Sequence, residues 1–157
     1  MPQTSTCLWF DTQAREAAEF YVQLFPNSRI TAVTQNGAGA PMPEGTVLTV
    51  SFEIDGREYT ALNGGRHFTL SPAASIIVHC HTQEEIDRYW TALSAVPQAE
   101  QCGWLQDRFG LSWQVVPQQL FEKMQSPDRA AVQRMFQALM AMKKLDLARL
   151  EQAFHGH

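Results

Sequence analysis

The stretch QCGWLQDRFGLSWQVVP, Gln101–Pro117, carries the clearest structural pattern in the chain. It predicts two short strands, one at Trp104–Leu105 and one at 111–116, joined by a tight turn. Asp107–Gly110 suit that turn, because aspartate bonds to nearby backbone and glycine takes a positive φ without steric cost. Pro117 ends the second strand, since it has no N–H to donate to a strand ladder.

The second of these strands has two chemically different faces. Alternation puts Trp113 and Val115 on one side and Ser112, Gln114 and Val116 on the other. A polar Gln114 amid apolar neighbours indicates that its face lines a pocket and not only a core. The stretch therefore predicts a sheet with one face available to a ligand.

A strand followed by a capped amphipathic helix occurs twice. The first copy has the apolar strand 7–10 and the candidate caps Asp11 and Thr12, and the second has the strand Ser75–His81 and a Thr82–Glu85 capping box. The two helical stripes stand 69 positions apart, which indicates an internal duplication, with coincidence as the alternative. Their members are Ala17, Phe20, Tyr21 and Leu24 in the first copy and Ile86, Tyr89, Trp90 and Leu93 in the second.

Further strands complete the first copy. Ser28–Gln35, Val47–Ile54 and Arg57–Asn63 have strand patterns, and Asp55-Gly56 between the last two is the strongest short hairpin signal in the chain. The second copy looks one strand short, because only a brief connection at 95–101 separates its helix from its hairpin.

Beyond Pro117 the pattern changes to helices. Ser126-Pro127 predicts a helix start, and Asp146 predicts the cap of a last helix. The apolar stripe between them is Val132, Met135, Phe136, Leu139 and Met142. The chain is thus predicted to be a single α+β domain, with a first module at about 4–66, a second at about 73–117 and C-terminal helices at about 118–154.

Composition excludes several classes of function. The chain has 157 residues, a net charge of −4 and no basic stripe, which argues against nucleic acid and anionic membranes as partners. No apolar run approaches the roughly 20 residues of a membrane span, and the first six residues do not resemble a leader. Three cysteines without a CxxC pair predict reduced thiols in the cytoplasm.

Six segments carry a resemblance to a known family: CLWFD at 7–11, EAAEFYVQLFPNSRI at 16–30, ALNGG at 61–65, DRYWTALSA at 87–95, the opening stretch at 101–117, and MKKLD at 142–146. They resemble the PhnB-like family, also called 3-demethylubiquinone-9 3-methyltransferase-like. This family belongs to the vicinal oxygen chelate superfamily of glyoxalase I, extradiol dioxygenases and bleomycin-resistance proteins. The resemblance implies two paired βαβββ-type modules whose curved sheets line a cup, and a homodimer.

The resemblance also implies four metal-ligand positions, which fall on Thr4, Tyr59, Ser75 and Gln114. None of these side chains is a good ligand for a divalent metal, which prefers imidazole, carboxylate or thiolate. We therefore predict no cofactor and no metal at these positions. A divalent metal held by unorthodox ligands, such as the i, i+2 pair His79 and His81, remains the alternative.

Six residues are candidates for contact with a small-molecule ligand in the cup. Tyr59, Gln114 and His79 can form hydrogen bonds, with pairing inside the protein as the alternative for each. Large aromatic side chains can stack on a planar ligand or belong to the core. The candidates are Phe10, Tyr59, Asn63, His79, Trp104 and Gln114. Cys102 is a further thiol without an evident neighbouring base, and no catalytic residue is assigned.

These observations leave three hypotheses for function. The first is a small-molecule binding protein without the usual metal. The second is an enzyme acting on an oxygenated aromatic or quinone-like substrate. The third is an interaction role in which the Met135–Met142 helix packs between two chains, so that polar substitutions at Phe136 and Leu139 yield monomers. Methyl transfer is not supported, because no glycine-rich turn follows the first strand.

Overall fold

The computed structural model describes all 157 residues. They form two compact units, Met1–Leu70 and Ser71–His157. Each unit builds a sheet that mixes parallel and antiparallel pairs and carries a helix between its first two strands. The α+β class predicted from the sequence is confirmed. No helix is both long and apolar enough to cross a bilayer.

Unit 1 is a four-stranded sheet with one helix. Its elements are β1 (Thr6–Phe10), α1 (Ala14–Leu24), β2 (Arg29–Gln35), β3 (Val47–Ile54) and β4 (Arg57–Asn63). The strand order is β1-β4-β3-β2, and only β1 and β4 run parallel. Helix α1 lies against β3 and β4, and it buries Ala14, Ala17, Ala18 and Tyr21.

The predicted hairpin turn fixes which face each residue of β4 occupies. Asp55 and Gly56 have φ of 48° and 74°, the left-handed pair that a two-residue hairpin turn requires. The turn pairs Phe52 with Tyr59, and the two rings stack at 5.4 Å. Because Phe52 is in the core beneath α1, Tyr59 and Asn63 lie on the helix side of the sheet. The prediction that these two residues face the cup is wrong by one position of register.

The start of α1 is held by a residue distant in sequence. Asp11 and Thr12, the predicted caps, do not cap the helix, since its N-cap is Gln13, which makes no side-chain cap bond. Instead, Asn63 Oδ1 accepts a hydrogen bond of 2.8 Å from the Ala14 N–H, and its Nδ2 donates to the Val47 carbonyl at 3.1 Å. The buried Asn63 amide is therefore structural.

Unit 2 has a smaller sheet. Its first elements are β5 (Ser75–Cys80), α2 (Gln83–Leu93), β6 (Trp104–Gln106) and β7 (Ser112–Pro117), with strand order β5-β7-β6. As the sequence predicts, this sheet has one strand fewer than that of unit 1, and a 3₁₀ turn at Pro97–Ala99 lies in the connection between α2 and β6. The Thr82–Glu85 capping box is present, since Thr82 Oγ1 accepts from the Glu85 N–H at 3.2 Å.

The β6–β7 turn is built on a buried carboxylate. Asp107 is 1% exposed. Its Oδ1 accepts from the Phe109 and Leu111 N–H groups at 2.8 and 3.0 Å, and its Oδ2 accepts from Trp113 Nε1 at 2.9 Å. The predicted hairpin is thus tied to the core of the unit through the indole of Trp113.

Three helices follow β7: α3 (Gln118–Met124), α4 (Arg129–Met140) and α5 (Leu147–His155). Asp146 caps α5 as predicted, but Asp128, not Ser126, caps α4 through a 3.0 Å bond from the Ala131 N–H. The helices bury a common apolar cluster, which we call the C-terminal cluster. Its members are Val116, Leu120, Met135, Leu139, Met142, Leu145 and Leu150.

Candidate functional site

The sheet of unit 1 has a face turned away from α1, which we call the open face of unit 1. Register pairs Trp9 with Leu62 and Leu62 with Thr49, which forms one row across three strands. A second row runs from Cys7 through Thr60 to Ser51. The rows extend onto β2 at Thr34 and Ala32. Apolar, hydroxyl and thiol groups therefore lie side by side on this face, and neither row contains a formal charge.

Trp9 is fixed in place at one end of this face. Its Nε1 donates to the Gly65 carbonyl at 2.9 Å. Its ring lies so close to Gly64 that a Cβ there would come within 2.2 Å of it. Phe68 meets the indole edge-on, with ring centroids 5.0 Å apart and planes at 78°. Sequence analysis missed Trp9, because four consecutive apolar residues in β1 hide the alternation.

Two hydroxyls on the open face of unit 1 lack partners within the chain. Thr49 and Thr34 share a hydrogen bond between their hydroxyls. Ser51 and Thr60, neighbours across β3 and β4, are half-buried and make no side-chain hydrogen bond. Such groups can bond to water or to a ligand.

Phe10, predicted to contact a ligand, does not lie on the open face of unit 1. It pairs with Asn63 across β1 and β4, on the side of the sheet that faces α1, and it is buried in the core. The alternative reading, a core aromatic, is the one that the structure supports.

In unit 2, unlike unit 1, the strand residues lie on the faces of the sheet predicted from the sequence. Gln114 pairs with Trp104 in one row across the sheet, and Ser75 pairs with Ser112 in the neighbouring row. These residues lie on the face opposite Trp113 and Val115, and we call their face the open face of unit 2. Gln114 Nε2 donates to Ser75 Oγ at 3.0 Å. Gln114, Ser75 and Trp104 are all half-buried. This face therefore offers an amide, a hydroxyl and an indole.

Helix α3 covers part of the open face of unit 2. His79 Nδ1 lies 3.0 Å from Gln118 Oε1, and its ring is 5.1 Å from that of Phe121. Ile77 packs against the C-terminal cluster, to which Val116 belongs. His79 is on the predicted face, but it is engaged by α3, which the sequence did not reveal.

The ligand positions implied by the resemblance do not fit a divalent metal. Ser75 and Gln114 are neutral and bonded to each other. Tyr59 lies on the helix side, and its burial raises the pKa of its phenol, an effect that Arg57 partly offsets. No three His, Cys, Asp or Glu side chains are arranged so that they could hold a metal ion together. A site of neutral oxygen and amide groups is a poor match to the ligands that divalent metals prefer.

All three cysteines are free, in different surroundings. Cys7 is exposed on the open face of unit 1. Burial raises the pKa of the Cys80 thiol to about 12, and Glu85 adds to the effect, so Cys80 stays protonated and inert near neutral pH. Cys102 takes a φ of 52° and lies 3.7 Å from the sulfur of Met140.

A depression in unit 2 lies outside these faces. Its volume is about 790 Å³, and none of the six predicted site residues lines it. Its charged lining groups are already paired in part, since Lys144 Nζ lies 2.7 Å from Asp87 Oδ1. It is lined by Gln83, Asp87, Ala141, Met142, Lys143, Lys144, Leu145, Asp146, Leu147, Ala148 and Arg149.

Comparison with known proteins assigns the family. The model of the 3-demethylubiquinone-9 3-methyltransferase family matches residues 2–116. A putative 3-demethylubiquinone-9 3-methyltransferase, PhnB protein, from Bacillus cereus is 33% identical with a TM-score of 0.63, over 74% of this chain and 99% of that one. A protein from Pseudomonas aeruginosa is 20% identical with a TM-score of 0.56, over 74% and 98%.

More distant similarity extends to a lactoylglutathione lyase from Agrobacterium tumefaciens, at 17% identity and a TM-score of 0.42 over 76% of this chain and 96% of that one. The search of curated proteins gave no match. The family model ends at Val116, where β7 is nearly complete, so α3–α5 follow the matched stretch. On its sequence match and its fold, the chain belongs to the 3-demethylubiquinone-9 3-methyltransferase family, which includes PhnB-like proteins.

Proposed function

We propose that the open face of each sheet, taken by itself, can bind a neutral small molecule without a resident divalent metal. The observation that carries this proposal is the hydrogen bond between Ser75 and Gln114, at two of the positions that the family resemblance implies for metal ligands. A hydroxyl and a carboxamide recognise neutral hydrogen-bonding groups. Because Gln114 uses its Nε2 in this bond, its Oε1 remains an acceptor for a ligand.

The methyltransferase label of the family does not carry over as an activity. A donor such as S-adenosylmethionine calls for a glycine-rich turn after the first strand of a doubly wound parallel sheet. Here Asp11-Thr12-Gln13 follow β1, and the sheet of unit 1 has a single parallel pair. Gly64-Gly65 follow a hairpin strand instead.

A second candidate function is catalysis on an oxygenated aromatic or quinone-like substrate. The observation that favours it is the row of Cys7, Thr60 and Ser51 beside the apolar row of Trp9 and Leu62. A thiol and two hydroxyls without partners are the groups that such a substrate would meet. Conversion of a bound ligand into a distinct product distinguishes this function from binding alone.

Replacement of Gln114 tests the binding proposal. The tag-free chain is purified, its metal content is measured by elemental mass spectrometry, and small molecules that co-purify are identified after extraction. We expect less than stoichiometric metal, and a ligand whose Kd rises about tenfold in Gln114→Leu, the effect of losing one neutral hydrogen bond.

The control is Gln133→Leu, an exposed glutamine on α4 that should leave the Kd unchanged. One bound divalent metal per chain would contradict the proposal, as would a Kd that does not respond to Gln114→Leu.

We further propose that the chain acts as a homodimer in the cytoplasm. Three free cysteines suit a reducing compartment. Phe136 and Met140, spaced i, i+4 on α4, are 44% and 54% exposed and form an apolar strip suited to self-association. Leu139 is unsuitable as a probe of that contact, since it belongs to the C-terminal cluster of its own chain and its substitution would destabilise the unit.

Substitution of the strip with charge should separate the chains. Phe136→Asp with Met140→Asp is expected to convert a dimer into a monomer in light scattering coupled to size exclusion, because two charges would face an apolar contact. Met124→Asp, at a 40% exposed methionine on α3, is the matched control and should stay dimeric. A double variant that remains dimeric would show that the contact lies elsewhere.

A further inference from the structure

We infer that Trp9 and Phe68 form a subsite for a planar aromatic ring at one end of the open face of unit 1. The inference rests on the proposed function, since it assumes that this face takes a small molecule. It adds the chemical class of the ligand: an uncharged aromatic compound with a hydroxyl or carbonyl group. Neither residue is among the candidates predicted from the sequence.

The segment that presents Phe68 is anchored to the end of β1. The Gly64 N–H donates to the Phe10 carbonyl at 2.9 Å, and the Gly65 N–H donates to the Asp11 carbonyl at 3.3 Å. Arg66 Nε lies 3.1 Å from Asp11 Oδ2. The chain is therefore held next to β1 up to two residues before Phe68, and Gly64 is the residue that leaves room for the indole of Trp9.

The two rings form a corner that fits an aromatic ligand. Their planes meet at 78°, so a third ring can stack on one face while its edge meets the other. Both offset stacking and edge-to-face contact are favourable geometries for aromatic groups. Phe68 is 67% exposed, which leaves most of its surface for such a contact.

The neighbouring groups define the rest of the ligand. Leu62 lies beside Trp9 and extends the apolar floor. Thr60 and Ser51, whose hydroxyls make no bond within the chain, lie two residues along their strands, about 7 Å away. A bicyclic ring has about that length, so a ring in the corner would bring a polar substituent to these hydroxyls. The absence of charge in both rows favours a neutral ligand over an ionised one.

The test compares 2-naphthol with its saturated analogue, 2-decalol, by saturation-transfer NMR and titration on the full chain. We expect 2-naphthol to bind, and 2-decalol to bind at least tenfold more weakly. Phe68→Ala should raise the Kd of 2-naphthol by a similar factor. Because Phe68 is at the surface, this variant should keep the unfolding midpoint of the wild type, which is measured in parallel.

The control is Met124→Ala, which removes an exposed apolar side chain in unit 2, outside the proposed dimer strip, and should leave 2-naphthol binding unchanged. Thr60→Val keeps the shape of the side chain and should raise the Kd of 2-naphthol but not that of naphthalene.

Equal binding of 2-naphthol and 2-decalol would overturn the inference, as would an unchanged Kd in Phe68→Ala or no binding of 2-naphthol. If the chain does not bind 2-naphthol but binds another ligand whose Kd rises in Gln114→Leu, the aromatic subsite is contradicted and the proposed function is supported.

Discussion

Asp107→Ala is expected to lower the free energy of unfolding by about 3–5 kcal/mol, because it leaves three buried donors without their acceptor. The carboxylate accepts from two backbone N–H groups of the β6–β7 turn and from the indole of Trp113. Removal of the side chain should destabilise both the turn and the packing of Trp113. Urea unfolding followed by circular dichroism gives the magnitude.

Two further variants separate the contributions of Asp107. Asp107→Asn keeps an oxygen for the backbone donors but turns an amide N–H₂ toward the indole N–H, so we expect an intermediate loss. Asp146→Ala removes a half-buried helix cap on α5 and should cost about 1 kcal/mol. If Asp107→Ala cost no more than Asp146→Ala, the buried carboxylate would not be the centre of the hairpin.

Leu145→Ala is the second large effect, with an expected loss of about 3–4 kcal/mol. Leu145 is fully buried and touches Gly103, where an added Cβ would lie 3.0 Å from its Cδ1. The segment just before it accepts hydrogen bonds from the Cys102 and Gly103 N–H groups at 2.8 Å. A cavity at Leu145 should therefore weaken the attachment of the C-terminal segment to the start of β6.

Hydrogen exchange measures this attachment directly. In Leu145→Ala, the amides of Cys102 and Gly103 should lose protection more than the amides of β5. Leu147→Ala, at a half-buried leucine on the same segment, is the control and should change both stability and exchange less. Protection that stays unchanged at Cys102 and Gly103 would show that these bonds do not depend on the packing of Leu145.

The sequence predicted unit 2 better than unit 1 because of what alternates in each strand. In β7 the polar Ser112 and Gln114 alternate with the apolar Trp113 and Val115, which shows which face is open, and the structure agrees. In β4 both alternating sets mix polar and apolar residues, so side-chain type alone does not choose between them. The two-residue turn does: once Asp55-Gly56 is taken as the loop, Tyr59 must pair with Phe52 and share its face.

Other features depend on contacts that no local pattern contains. Asn63 caps α1 from a distance of 49 residues, and α3 folds back to engage His79. Trp9 is distinguished from Phe10 only by the pairing of β1 with β4. These contacts are long-range, and they decide which of the candidate site residues face a ligand.

The position of Leu145 has a consequence for how the chain acquires its structure during synthesis. All strands of unit 1 precede Leu70, so the internal contacts of this unit can form before unit 2 has been synthesised. Unit 2 lacks the side chain that packs on Gly103 until residue 145 has emerged, although its own sheet is complete at Pro117. Since domains commonly fold as they leave the ribosome, unit 1 should reach its final structure first, and unit 2 should reach its own only after residue 145 has emerged.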